Sequence, residues 1–300
     1  MAKSNYVADI KAEVSSKILA ALKAGDLPPW RKPWHMGGLI PRNGQTRKPY
    51  RGINILYLQA IAWAEGYQSQ DWFTWNMAQK AGGDIKPDER KRSWYVIFWK
   101  WLKKKDAKDD YDTFPIMKYY RVYNREQTTG LPYTPDPVLS EEERIDGADK
   151  FITGIKKHDG LKVETGSKAA YYPIIDHVEM PPFKNFESAE LFYATLYHEV
   201  AHWTGHKSRL NRAQEFEFTQ GAYAAEELVA ELASAFLCSL TNIYGNLQPA
   251  EYISSWIKLL ENDKKAIFTA AGLAQKATDY LIDKSGVEFW EEDAPKEVVL

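Results

Sequence analysis

The chain of 300 residues is poor in cysteine and has no long apolar run. Its single cysteine, Cys238, cannot close an internal disulfide, and a Cys-rich metal knuckle is excluded. No uninterrupted apolar stretch approaches the ~18 residues that a membrane span needs, so no membrane partner is expected. The N-terminal segment is amphipathic with mixed charge and lacks the apolar centre of a secretory signal. These absences together predict a cytoplasmic setting. With 44% hydrophobic and 27% charged residues, the collagen-like, disordered and disulfide-scaffold classes drop out, leaving one or two globular domains.

Net charge is also nearly absent, at −2, but that figure averages two unlike halves. Residues 1–130 hold 23 Lys and Arg against 13 Asp and Glu, whereas residues 131–300 hold 16 against 28. Eight of the 11 tryptophans fall in the first 101 residues. Between the halves lies LPYTPDPVLSEEERIDG, three prolines followed by an acidic run, which predicts a boundary between domains 1–135 and 136–300. The acidic half should repel nucleic acid, which confines such binding to the N-terminal part and leaves the rest for a protein partner.

The N-terminal pattern is α+β. A first helix is expected over about 4–24, from the spacing of Val7, Ile10, Val14, Ile18 and Leu22. Short helices follow at GINILYLQAIAWAEG and TWNMAQKAGG, then two strands, WYVIFWKW and PIMKYYRVY, joined by a charged loop. Tryptophan and tyrosine interleaved with Arg and Lys suit single-stranded DNA, whose bases stack on rings while cations follow the phosphates. No duplex-reading motif is present. Trp63, Trp94 and Trp99 alternate with apolar residues and are expected in the core. The candidate DNA contacts are Trp30, Arg31, Lys32, Trp34, Arg51 and Trp72, which sit on chain without helical apolar spacing.

In the second half, His198-Glu199-Val200-Ala201-His202 is an HExxH motif on a helix that Ser188 can cap and Gly205 can stop. Histidines four apart share one helix face and can bind one cation, with Glu199 beside them as the base that takes a proton from water. A third ligand is required. An HExxHxxGxxH pattern fails, because Ser208 stands where the third histidine belongs. His206 follows His202 by four but lies at or beyond the helix stop, and it reads as a supporting or surface group. Glu227 and Glu231 lie one turn apart in the apolar middle of AYAAEELVAELASAFLCSL. The spacing of gluzincins favours Glu227 over Glu226 as ligand, with Glu231 holding the free nitrogen of a ligand histidine. A helix, a small sheet, the HExxH helix and the glutamate helix make a mostly helical, gluzincin-type zincin order. An extended peptide is expected to pair with the sheet edge near Tyr171–Met180. Tyr193, Tyr197 and Tyr223 are candidate oxyanion donors. Zinc is the expected ion, with another divalent metal such as Mn2+ as the alternative.

Five segments, WRKPW, YRGINILYL, YRVYNREQTTGL, HEVAHWTGHKSRLNR and EELVAEL, resemble the ArdC antirestriction family of conjugative plasmids over almost the whole chain. The N-terminal part is also similar to TraC-type plasmid primases. The resemblance implies a single-stranded-DNA-binding domain, a zincin-like metallopeptidase domain, and a role in protecting incoming plasmid DNA from host restriction. It maps the metal-site pattern onto His198, Glu199, His202 and Glu227. A protein substrate, with the host restriction system as candidate source, is the second expected partner. The alternative is a DNA-coating protein whose metal is structural or regulatory. A primase accessory role ranks last, because no polymerase motif is found.

Overall fold

The computed structural model describes residues 2–23, 40–103, 113–133, 139–212, 222–243, 253–263 and 265–289. Helix α1 (Ala2–Lys23) buries Ile10, Val14, Ile18 and Leu22, a stripe repeating every four residues along one face. Helix α2 (Ile53–Glu65) is apolar nearly all round and is buried from Asn54 to Ala62. Asn54 ties it to the sheet: its side-chain amide donates to the carbonyl of Ile97 and accepts from the Ile97 amide, both at 2.8 Å. That pair satisfies a buried polar side chain that would otherwise cost about 1–3 kcal/mol.

The N-terminal sheet has the order β1 (Arg42–Asn43), β2 (Asp71–Phe73), β5 (Thr113–Asn124), β4 (Trp94–Lys103). Strands β4 and β5 form the expected antiparallel pair, in register from Trp94 opposite Val122 to Lys103 opposite Thr113. Helix α3 (Trp75–Lys80) starts at Thr74, whose hydroxyl accepts from the Met77 amide at 3.2 Å. A small ladder pairs β3 (Asp84–Ile85) with β6 (Thr128–Thr129). Two core expectations fail here: Trp63 and Trp99 are 44% and 46% exposed. Burial along α2 ends at Ala62, and along β4 it fades after Ile97, so both rings lie past the covered stretch. Trp94 packs against the main core with Lys17 over its ring.

Part of the N-terminal basic surplus is structural. Asp71, only 1% exposed, accepts from Arg42 at 2.6 Å, Arg47 at 2.6 Å and Arg125 at 3.3 Å. Three guanidinium groups around one buried carboxylate pin the β1 turn to β2 and to the end of β5.

The second half opens with α4 (Glu141–Asp159), where Ser140 and Glu143 form a reciprocal capping box. Strands β7 (Val163–Thr165), β8 (Ala170–Tyr172) and β9 (His177–Met180) make a three-stranded sheet with β9 in the middle. Helices α5 (Ala189–Thr204), α6 (Ala222–Leu240), α7 (Ile253–Asn262) and α8 (Ala266–Ser285) follow. Helices α4 and α8 cross tightly at Gly154, where any Cβ would lie 1.9 Å from the Ser285 carbonyl oxygen.

The boundary expected near residue 135 falls at 134–138, outside the described residues. The largest apolar core draws on both sides of it, joining α1, α2, Val96 and Val122 to α6, Trp256 and α8. A second core gathers α4, α5 and β9 around the ends of α6 and α8. Helices α6 and α8 thus serve both cores, and the single thiol, Cys238, is buried in the second. The architecture is α+β, with small sheets among packed helices. Among the described residues no helix is long and apolar enough to cross a membrane.

Candidate metal centre

Helix α5 starts where Ser188 accepts from the Leu191 amide at 3.1 Å and stops at Gly205. Its inner face, including Leu196, Tyr197, Val200, Ala201 and Trp203, is buried, which turns His198 and His202 toward an open cleft. Helix α6 packs alongside, locked by Ser234 donating to the Ala194 carbonyl at 2.8 Å. The packing brings Glu227 onto both histidines.

His198 Nε2 lies 3.4 Å from Glu227 Oε2, His202 Nε2 lies 3.5 Å from Glu227 Oε1, and the two Nε2 atoms are 3.2 Å apart. Bonds of about 2.0–2.1 Å around a tetrahedral ion place ligand atoms roughly 3.3–3.4 Å apart. The three side chains therefore outline one face of a metal tetrahedron, and among the described residues they are the one group close enough to hold an ion. Glu199 lines the same cleft, with no hydrogen bond or ion pair among the described residues.

Each of the two histidines is supported from behind. Glu231, buried on α6, approaches His198 Nδ1 at 3.7 Å. On the other side Glu226 meets His202 Nδ1 at 3.2 Å. Arg212, 2% exposed, fixes Glu226 through two bonds of 2.7 and 3.1 Å, and also donates to the Ala201 carbonyl and the Thr204 hydroxyl, each at 2.6 Å. A Cβ at Gly205 would lie 2.8 Å from this guanidinium, so the glycine clears a path for Arg212 as well as ending the helix. The sequence reading set Glu226 aside as a ligand and assigned neither it nor Arg212 a supporting role. The adjacent pair Glu226-Glu227 carried a signal, since neighbours about 100° apart on a helix can serve two different histidines.

Electrostatics follow the same geometry. Burial disfavours a charged His198 ring, but Glu227 and Glu231 outweigh it and push its pKa up to about 9. His202 is also raised: burial opposes the charge, and Glu226 and Glu227 overcome it. Burial would lift Glu227, yet the two histidines hold it well below the usual carboxylate range. Glu226 is lowered too, with His202 and Arg212 prevailing over burial. A site that gathers protons this strongly on its nitrogens is equally disposed toward a metal cation, which must displace them.

The cleft has a volume of about 1300 Å3 and reaches along Ala170, Tyr171, Ile174 and Ile175. The expected peptide-pairing stretch is corrected at this point. Strand β9 is central, paired on both sides, so only β8 presents an edge toward the cleft. Arg209 anchors the turn after β8, donating to Asp176 and lying 3.8 Å over the Trp203 ring. Of the three tyrosines, Tyr193 bonds Asp149 and Tyr197 bonds Thr241, whereas Tyr223 stands on the cleft wall, 65% exposed. His206, expected as a supporting or surface group, takes the surface role: it hydrogen-bonds Ser208 at 2.8 Å, because the chain has left the helix by then.

The candidate DNA contacts fare unevenly. Trp30, Arg31, Lys32 and Trp34 lie outside the described residues. Trp72 is overturned: it is fully buried on β2, between β1 and β5, with its ring edge-on to Tyr67. A strand of three residues is too short to show an alternation that would have placed it inside. Arg51 is exposed, pairs with Asp279 of α8, and lines a second cleft.

Comparison with known proteins agrees with this layout. A family model described as the N-terminal domain of anti-restriction factor ArdC matches residues 8–123, and one described as zincin-like metallopeptidase matches 147–273. The metal-free crystal structure of the antirestriction protein ArdC from plasmid R388 superposes with a TM-score of 0.76 at 36% identity, covering 93% of this chain and 98% of that one. This chain belongs to the ArdC antirestriction family. The Mn(II)-bound structure of the same R388 protein matches with a TM-score of 0.73 at 37% identity, over 92% and 97% of the two chains. An uncharacterized protein, y4eC of Sinorhizobium fredii, is 40% identical over 91% of each chain. Two Escherichia coli DNA primases TraC are 33% identical over 90% of this ArdC-family chain, which spans only 19% and 27% of their length.

Proposed function

We propose that this ArdC-family protein is a cytoplasmic plasmid antirestriction factor that binds single-stranded DNA and cleaves a protein at a zinc site. The observation that carries the peptidase reading is the trio of His198, His202 and Glu227, spaced at 3.2–3.5 Å, with Glu199 in the same cleft. Two neutral imidazoles and a carboxylate suit zinc, with Mn2+ as the alternative, and leave a coordination position open. A divalent ion held there supplies Lewis acidity that acidifies water and polarises a peptide carbonyl. Glu199 takes the proton from the attacking water and returns it to the leaving amine. Of the three candidate tyrosines, Tyr223 lines the cleft and is assigned as the donor to the developing oxyanion. Strand β8 offers backbone groups to an extended substrate.

We assign DNA binding to the basic, aromatic segment 1–135 and peptidase chemistry to 136–300, with the host restriction system as the source of the protein substrate. The test is conjugation into a restricting recipient. Glu199→Gln should abolish protection while the purified variant still binds single strands, whereas full protection by this variant excludes proteolysis as the mechanism. One observation favours the second reading, a DNA-coating protein with a structural metal. Glu227 sits on α6, which joins both cores, so metal loss would reach the fold. That reading predicts that Glu199→Gln is silent and that His198→Ala acts only through a lower melting temperature.

A further inference from the structure

Outside the metal centre, a second cleft of about 740 Å3 opens between the N-terminal region and α8. Its size falls within the roughly 300–1,000 Å3 typical of ligand clefts. We infer that this cleft is a single-stranded nucleic-acid track built jointly by the two halves, with Trp99 and Phe268 as base-stacking surfaces and lysines as phosphate contacts. The inference rests on the DNA-binding reading above and extends it to C-terminal residues that the acidic composition of that half argued against.

Charge is the first observation. The lining carries Lys11, Lys48, Arg51, Lys265 and Lys276 against one anion, Asp279, which Arg51 already engages. Among the described residues no carboxylate pairs with Lys11, Lys265 or Lys276. The half that is acidic overall therefore presents lysines at this wall. The rings are the second observation. Trp99 is 46% exposed beside Phe268, and the Lys11 ammonium lies 4.8 Å and 5.8 Å from the two ring centres. Two rings sharing an ammonium combine the stacking and cationic groups that single strands recognise, and a duplex, whose base faces are covered, has no use for such rings.

Gly272 is the third. It lies in the middle of α8, where glycine costs about 0.5–1 kcal/mol relative to alanine, and apart from the helix's own adjacent backbone no atom stands within 4 Å of where its Cβ would be. Packing does not require this glycine, and it lines the cleft, so it leaves room for a ligand to approach the helix backbone. The cleft is also held in shape. Gln275 of α8 accepts from the Gly52 amide at 2.8 Å and donates to Asp279 at 2.9 Å, tying the start of α2 to α8.

The experiment is fluorescence anisotropy of a labelled single-stranded 20-mer against the full chain. Trp99→Ala with Phe268→Ala should weaken binding by about tenfold or more. Lys265→Glu with Lys276→Glu should weaken it comparably at low salt and flatten the salt dependence. Gly272→Leu fills the cleft without touching a charge, and should weaken binding while leaving the melting temperature equal to or above that of the wild type. If the wild type binds and every variant stays within twofold, the cleft is not the track. If the wild type binds no single strand, the DNA-binding reading falls and the cleft falls with it.

Discussion

The two clefts of the molecule are built on opposite principles. At the metal centre, ionisable groups are buried, close together and individually supported: three acids and one arginine surround two histidines on neighbouring helices. At the α8 cleft, the cations are exposed (Arg51, Lys265, Lys276) or half-buried (Lys11, Lys48), spread along the walls and mostly unopposed by acids. The first arrangement suits a small ion that must be gripped with fixed geometry, because buried charges are tolerated only when paired. The second suits a long flexible polyanion, whose affinity comes from many screened contacts. The same contrast appears among the basic residues themselves. Arg42, Arg47 and Arg125 are consumed around Asp71, whereas Lys265 and Lys276 face solvent. Counting charges along the chain therefore overstates the free basic surface of the first half and misses the exposed lysines of the second.

The largest expected effect separates the two clefts outright. Glu199→Gln should lower digestion of an unfolded protein such as casein by roughly 10²–10⁴-fold, as for loss of a general base. The affinity of the same variant for a single-stranded oligonucleotide should stay within twofold of the wild type. Loss of both activities together would mean that the clefts are not independent.

Next in size is the structural arginine cluster. Asp71→Ala leaves three guanidinium groups without their buried partner and should cost about 3–5 kcal/mol in chemical denaturation. A loss below 1 kcal/mol would show these arginines to be solvated, and would return them to the DNA-facing inventory.

Metal affinity gives a smaller and more specific effect. Glu226→Gln, or Arg212→Met behind it, should weaken metal binding by about 10–100-fold in competition with a chromophoric chelator, without changing the oligonucleotide affinity. An unchanged metal affinity would reduce Glu226 and Arg212 to packing roles.

The pH dependence follows from His198, raised from 6.5 to about 9 by Glu227 and Glu231. Its charge stabilises the metal-free fold fully below about pH 6.5, and that contribution is lost as pH rises through about 9. Metal binding displaces this proton and the one held on His202, so metal affinity should rise by at least about tenfold per pH unit from about 7 to 9 and flatten above that. A flat profile over that range would contradict the pairing of His198 with Glu227 and Glu231.

How much of this was legible beforehand depends on how local each feature is. HExxH is a one-turn code, and the cap at Ser188 and the stop at Gly205 frame it within one helix, so the shared cleft position of the two histidines and Glu199 was readable directly. Helical spacing on α6 singled out Glu227 and Glu231, because carboxylates in an apolar stripe need partners, and likeness to the gluzincin pattern then favoured Glu227 as the ligand. The hairpin was visible from its strand pattern, and the structure pairs WYVIFWKW with PIMKYYRVY as expected. Glu226 and Arg212 were not, since their pairing depends on how the chain returns after Gly205. Trp72 misled because β2 is too short to carry a pattern, and Trp99 because alternation does not reveal where a strand outruns its cover. The α8 cleft was invisible for a stronger reason: positions 11, 99, 268 and 276 meet only through the shared core.

The most direct measurement is X-ray absorption at the metal edge of the zinc-loaded full-length protein, paired with the Glu227→Ala variant. Two imidazoles and one carboxylate with a solvent-open position, reduced to two imidazoles in the variant, are the result expected. Four protein ligands in the wild type, or a coordination sphere unchanged by Glu227→Ala, would contradict it.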